Sequence, residues 1–388
     1  MFDAMQRNRI DGPVPLGMPP RELPATPPLA RKGRGATLNP SGRFERYRRE
    51  AFADDWSDQG WSAGGGTEYV PPPIRTEVGV DTTKTIINYV TSPDIGFDRS
   101  INPYRGCEHG GVYCFARPTH AYLGLSPGLD FETRLFAKPN AAALLDEELR
   151  RPGYRPAVMA IGTNTDPYQP IEREMAIMRR VLETLAAFNH PVGIVTKSAL
   201  VLRDLDLLVP MAKKGLVQVH LSLTTLDRGL ARRMEPRAAT PARRLAAIEG
   251  LAKAGVPVGV LTAPMIPALN DMELERLLEA AAAAGATTAG YVLLRLPLEI
   301  KELFEEWLRT HVPDRADRVL RLVRDTRDGK LYDPTFGRRM SGQGPYAELL
   351  GKRFRLACHR LGLNRQRWRP ELGLFRPPPR IGDQLSLL

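Results

Sequence analysis

The chain has 388 residues, 43% hydrophobic and 26% charged, with a formal net charge of +11, room for one large α/β domain with extensions or for two ordinary domains. It holds no apolar run of the roughly 18 residues that a membrane span needs, and residues 1–20 carry no apolar signal-peptide core, so the cytoplasm is the expected compartment. Three cysteines cannot build a disulfide framework, and two of them beside a histidine suit a metal or redox site in a reducing compartment.

Residues 1–75 mix Pro, Gly and Arg with few periodic apolar positions. Such a stretch buries too little apolar surface to offset the entropy of ordering it, so disorder is expected there. From about residue 84, short β-branched runs alternate with amphipathic Ala/Leu/Arg/Glu stretches. Strands are expected at 100–106, 157–164, 192–198, 217–225, 256–265 and 287–297. Helices are expected near 138–151, 171–188, 201–214, 240–254 and 271–284, with Asp271 as an N-cap and Gly215, Gly255 and Gly285 just past C-termini. Alternation at this spacing predicts parallel strands with crossover helices. Six units over 76–298 point to an incomplete (β/α)6 TIM-type barrel with its site at the strands' C-terminal ends; a flat doubly wound sheet gives the same pattern. The segment 299–388 departs from the repeat, with helices expected near 301–310, 314–325 and 346–362. From His311 to Leu388 it holds 17 Lys and Arg against 8 Asp and Glu, a charge excess suited to phosphate contact. Tyr332, Phe336, Tyr346, Phe354 and Trp368 add aromatic faces that suit nucleic acid.

Residues 101–124 read INPYRGCEHGGVYCFARPTHAYLG. Cys107 and Cys114 lie on a glycine-flanked loop after a predicted strand, and Arg105, His109 and Arg117 nearby should favour thiolate over thiol. Cys107, His109, Cys114 and His120 also offer two sulfurs and two imidazoles, a zinc-type donor set, although their spacing matches no common zinc module.

This loop resembles the cluster loop of the radical S-adenosylmethionine superfamily, Cys-x3-Cys-x-aromatic-Cys. The wider string NPYRGCEHG, YCFARPTHAYLG and LSPGLDFET is similar to the spore-photoproduct-lyase-like branch of DNA repair photolyase-like proteins. The resemblance implies a 4Fe–4S cluster held by three thiolates, with S-adenosylmethionine on the open iron as the source of a 5′-deoxyadenosyl radical. Cys107 then matches the first ligand, Cys114 the third and Tyr113 the aromatic, while the second position is Gly111, which has no donor. The resemblance further implies that Gly162, Thr163 and Asn164 bind the methionyl amine, with Asp166 and Tyr168 in the same mouth. Lys197 or Arg237 would meet the carboxylate, Ser222 the ribose, and Ala263, Met265 and Ile266 the adenine, on a loop shaped by Pro264 and Pro267. The implied substrate is a nucleic acid, with DNA foremost, and an electron donor is required; without the second cysteine, a non-catalytic binding protein is the alternative. The terminal Gln384-Leu385-Ser386-Leu387-Leu388, within a tail at 383–388, resembles the short peptide by which bacterial repair proteins dock on the sliding clamp.

Overall fold

The six β-branched runs form the parallel strands of a partial barrel. They are β1 (Arg99–Ile101), β2 (Met159–Ile161), β3 (Val192–Thr196), β4 (Val217–Ser222), β5 (Val258–Met265) and β6 (Thr288–Leu293). The structure is a computed structural model that describes residues 32–45 and 74–380. Each strand pairs with the next in chain order, with no reversal anywhere in the series, and an antiparallel strand, Ile87–Tyr89, covers the β1 edge. A doubly wound sheet must reverse its order at a switch point, so this winding is that of the barrel.

The expected strand at 100–106 is split. Pro103 has no amide to give to a ladder, and Tyr104–Arg105 pairs instead with Arg134–Ala137, which also carries Glu77–Val80, in a separate three-stranded sheet. Crossovers are supplied by α1 (Ala141–Leu149), α2 (Ile177–Ala187), α3 (Leu205–Lys213), α4 (Pro241–Lys253) and α5 (Leu274–Ala283). On α2 the buried residues Ile177, Val181, Leu182 and Leu185 recur at helical spacing, and each contributes about 1.5–3 kcal/mol by leaving water. Gly215, Gly255 and Gly285 follow α3, α4 and α5 as expected. Asp271 opens a 3-10 turn, Asp271–Glu273, without serving as its N-cap, and its carboxylate accepts a hydrogen bond from Tyr346.

The C-terminal segment adds α6 (Ile300–His311), α7 (Pro313–Asp325) and α8 (Gly344–Leu361). A second core joins Phe304, Trp307, Val319 and Leu320 to Val112 and Tyr113 of the cysteine loop. Helix α8 sends Leu350, Ala357 and Cys358 into the main core, so the extension is packed into the domain. Among the described residues, no helix is long and apolar enough to cross a membrane.

Of the stretch 1–75, for which disorder is expected, residues 32–45 are docked on the domain, and residues 1–31 and 46–73 lie outside the described residues. The backbone amides of Gly35 and Ala36 donate to the Glu132 carboxylate at 2.8 and 2.9 Å, and Arg34 donates to the Glu132 carbonyl at 2.7 Å. Asn39 exchanges hydrogen bonds with Asp130 at 2.9 Å each way. Polar anchoring of this kind leaves no apolar periodicity to find in the sequence. The clamp-like residues 384–388 lie outside the described residues.

Candidate functional site

The loop from Gly106 to Ala116 leaves the small sheet and lies over the barrel. Its shape is set by backbone bonds: the Cys107 amide donates to Phe131 O, the Val112 amide to Met234 O, and the Cys114 amide to Gly111 O at 3.1 Å. Buried Arg117 donates to the carbonyls of Gly111, Pro127 and Gly128 at 2.8–3.1 Å, and to Glu132. One guanidinium thereby fixes the turn at position 111 and joins it to the 32–45 segment through Glu132.

Cys107 and Cys114 meet in one small apolar cluster with Ala116 and Phe131. Burial first, then the neighbouring Cys107, pushes the Cys114 thiol up. Of the expected cations, Arg105 is drawn to Asp81 at 2.5 Å and the head of Arg117 is spent on Glu132 and carbonyls, whereas His109 stays against the loop. At Gly111 the backbone lies outside the left-handed region. A Cβ placed there would meet only Cys114 Cβ at 3.8 Å and the Tyr113 ring at 3.9 Å, both ordinary contacts.

Behind the thiols lies a polar hub that the sequence reading did not foresee. Asp166 accepts from Thr196 Oγ1 and the Lys197 amide at 2.7 Å, and from the Tyr168 amide at 2.9 Å. His109 Nδ1 lies 3.3 Å from the same carboxylate. Burial alone would raise Asp166, but His109 and these donors outweigh it and hold the carboxyl at about 2. Burial likewise opposes the charged His109, yet Asp166 and then Cys107 lift it to about 10. A second hub is Glu235, which accepts from Tyr113 Oη, from Thr224 Oγ1 at 3.0 Å and from Arg244. Lys197 sits between the two hubs, its Nζ 5.9 Å from the Tyr113 ring centre. Burial, then Arg244, lowers its pKa, while Asp166 and both cysteines pull it up.

The remaining expected residues divide. Gly162 (φ +87°) lies so close to β3 that a Cβ would fall 2.0 Å from Val195 O, so its identity serves the backbone. Asn102 Oδ1 holds the Asn164 and Thr165 amides at 3.1 and 3.4 Å; among the described residues Thr163 makes no side-chain hydrogen bond. Ser222 is buried and its hydroxyl donates to Ala263 O at 3.4 Å. Arg237 pairs with Glu108 at 2.9 Å. Tyr168 does not face the mouth: it is buried, and its hydroxyl donates to Asp204 at 3.0 Å. Met265 and Ile266 are wholly buried in the two cores and present no face to an adenine. Of the basic segment's aromatics, Phe354 packs at a tilt against Tyr291 and Tyr346 is tied to Asp271, while Phe336 is exposed beside Arg339.

The zinc-type set does not assemble. His120 is buried between Phe131 and Phe136, and its Nε2 contacts Arg134 O at 2.8 Å. Among the described residues, no three His, Cys, Asp or Glu side chains form a metal-holding group. Cys358 belongs to the main core, apart from the other thiols. Against the three-thiolate pattern, two cysteines fit the first and third positions and Gly111 supplies no donor. Among the described residues, the thiols fall one short of the three-thiolate set.

The radical SAM superfamily model matches residues 101–281. An uncharacterised protein of Mycobacterium tuberculosis is 41% identical over 244 residues, 62% of this chain and 72% of that protein. Another, of Methanocaldococcus jannaschii, is 28% identical over 174 residues, 45% of this chain and 62% of its own length. Among solved structures, a spore photoproduct lyase variant is similar in fold at TM-score 0.50 and 18% identity, with 74% of this chain and 80% of that chain covered. A second variant, with bound AdoMet and dinucleoside spore photoproduct, has TM-score 0.50 at 17% identity and the same coverage. A cysteine loop over the strand ends of a six-stranded partial barrel, with these likenesses, places the chain in the radical S-adenosylmethionine superfamily, whose members use a 4Fe–4S cluster and S-adenosylmethionine.

Proposed function

We propose that the protein binds S-adenosylmethionine at the mouth of the barrel and acts on nucleic acid, DNA foremost, to repair or modify a base. The observation that carries this reading is Lys197. Its side chain is half-buried near both thiols and over the Tyr113 ring, and it makes no hydrogen bond or ion pair among the described residues. A partly desolvated cation with no carboxylate in direct contact is costly, Asp166 offsets only part of that cost from a distance, and the methionyl carboxylate would offset more. In this reading Gly162, Thr163 and Asn164 offer backbone groups to the methionyl amine, and Ser222 lies toward the ribose. Tyr113 walls the site, Arg237 stands behind it through Glu108, and Cys107 and Cys114 face the cluster. A cluster held by Cys107, Cys114 and a further ligand would supply one-electron chemistry, and it would need an external electron donor. Nucleic-acid action is supported by the basic 311–388 segment and by the fold shared with spore photoproduct lyase. Equilibrium dialysis with labelled S-adenosylmethionine tests the site: Lys197→Ala should weaken binding at least tenfold and Lys197→Arg less. Equal binding by Lys197→Ala and the unaltered chain would exclude the assignment.

Gly111 favours a second reading, in which the chain keeps the barrel and the basic surface and binds without turnover. Iron counted after anaerobic reconstitution separates the two. A colourless, iron-free protein supports the binding reading, and reductive release of 5′-deoxyadenosine supports the enzyme. The terminal Gln384–Leu388 peptide is proposed as a sliding-clamp ligand. A fluorescent 376–388 peptide should bind purified clamp in a Gln384-dependent way, and binding indifferent to Gln384 would end that assignment.

A further inference from the structure

A cleft of about 780 Å³ opens between β6, the start of α8 and the loop 338–343, away from the thiols. It is lined by Arg338, Lys352 and Arg355 against a single carboxylate, Glu348. These three cations are exposed, and among the described residues their side chains make no hydrogen bond or ion pair; Asp333 is the one acid that feels Arg338 from its own loop.

Their isolation is selective. On the same helix Arg353 pairs with Glu275 at 2.7 Å and Arg360 with Glu279. Arg339, next to Arg338, pairs with Asp94. Helix α8 thus carries one row of cations neutralised against α5 and a second row, at 352 and 355, left bare over the cleft. The first turn of α8 lines the cleft as well, and Gln343 before it makes no side-chain cap. The helix N-terminus adds to the positive field. The half-buried ring of Tyr291 is among the lining groups, so the cleft offers an aromatic surface beside the three cations.

The loop also leads toward the thiols. Leu293 donates to Met340 O at 2.9 Å, and Arg295, whose Nη1 lies 3.5 Å from Met340 Sδ, covers the Phe115 ring at 5.0 Å. Phe115 directly follows Cys114 and is 44% exposed.

We propose that this cleft grips the phosphates of a nucleic-acid strand through Arg338, Lys352 and Arg355, so that a neighbouring nucleotide reaches the mouth past Arg295 and Phe115. The proposal rests on the nucleic-acid reading above and adds the place of contact. Three phosphate contacts on a single strand account for a salt slope of about 2, so their loss costs about a hundredfold in affinity at 0.1 M salt relative to 1 M.

The test is fluorescence anisotropy of a labelled 20-nucleotide DNA strand against the full chain across a salt series. Arg338→Gln/Lys352→Gln/Arg355→Gln should lose about two orders of magnitude in affinity at 0.1 M salt and flatten the slope by about 2, with an unchanged thermal melt. Arg353→Gln/Arg360→Gln, which removes two paired cations from the same helix, should stay within a few-fold of the unaltered chain. Equal losses in the two variants would mean that only net charge matters and would overturn the cleft. Binding by the triple variant that matches the unaltered chain would overturn the cleft and leave the nucleic-acid reading standing. Displacement of the strand by inorganic phosphate at matched ionic strength would make the cleft a small-anion site and overturn the strand. An unaltered chain that binds no DNA would remove the reading itself.

Discussion

Gly111 is where the three-cysteine pattern lacks a donor, and Gly111→Cys isolates what that position contributes to cluster binding. The substitution asks little of the fold: the new Cβ meets Cys114 Cβ at 3.8 Å and the Tyr113 ring at 3.9 Å, and φ is not left-handed. Replacing glycine at such a position removes about 0.4–1 kcal/mol of unfolded-chain entropy, so the variant should melt no lower than the parent. The gain is in the metal. A four-ligand structural zinc site is worth about 10–16 kcal/mol, so one thiolate contributes about 3 kcal/mol, or roughly a hundredfold in cluster retention. The same 3.8 Å separation lies within the Cβ range of a disulfide, so air should oxidise the introduced thiol and Cys114 to each other and destroy the site. The assay is therefore anaerobic: reconstitution with iron and sulfide, visible absorbance, iron per chain, and thiol titration before and after exposure to air. The variant should turn brown and retain far more iron than the parent, and air should cost it two titratable thiols. A fully reduced variant that holds no more iron than the parent would refute the argument that Gly111 alone separates this loop from a cluster site.

Glu132→Ala should cost about 3–5 kcal/mol in urea denaturation, because it leaves the buried Arg117 guanidinium unpaired and removes the acceptor of two amides of the 32–45 segment. A loss under about 1 kcal/mol would mean that the network does not anchor the loop. Gly162→Ala should lower the melting temperature sharply, since its Cβ would fall 2.0 Å from Val195 O; an unchanged melt would show that the β2 loop yields freely. Acid should destabilise the fold through two histidines. Burial holds His190 and His220 near 4, below the ordinary 6.5, so the unfolded chain takes up their protons first. Their stability is whole above about pH 6.5 and is lost as pH falls toward 4, by about 2 kcal/mol for each between pH 7 and 5. His220→Asn should flatten part of that dependence in urea melts, and a variant with the parent's full pH slope would exclude His220 as a source.

What the sequence disclosed follows the range of its signals. Strand and helix periodicity is local, and the six strands with their crossovers were legible from it. The choice of barrel over flat sheet depends on hydrogen-bonded order, which no window of the sequence contains. The cysteine loop was legible because its residues are contiguous. The hubs at Asp166 and Glu235 were not, since each gathers donors from separate strand ends and loops across tens of residues. Tyr168, Met265 and Ile266 were placed in the mouth by sequence position, whereas β-strand alternation and the turns after it decide which side chains go inward. Docking of residues 34–39 was invisible for the opposite reason: it relies on backbone amides and one arginine, which leave no hydrophobic pattern.

These bonds bear on how a loop with a missing ligand keeps its shape. In small metal sites the ion supplies the folding energy and the apo loop collapses. Here the turn at 111 is held by Arg117 on Gly111 O, Arg117 is held by Glu132, and Glu132 is saturated by Gly35 and Ala36. Tyr113 is fixed separately by Glu235, and Val112 by Met234 O. None of these contacts uses a thiol. The loop's geometry is therefore carried by buried ion pairs and carbonyls, and a change from cysteine to glycine at 111 removes a ligand without removing a support. The loop would keep these supports whichever residue stood at 111, and the step from glycine to cysteine meets only ordinary contacts.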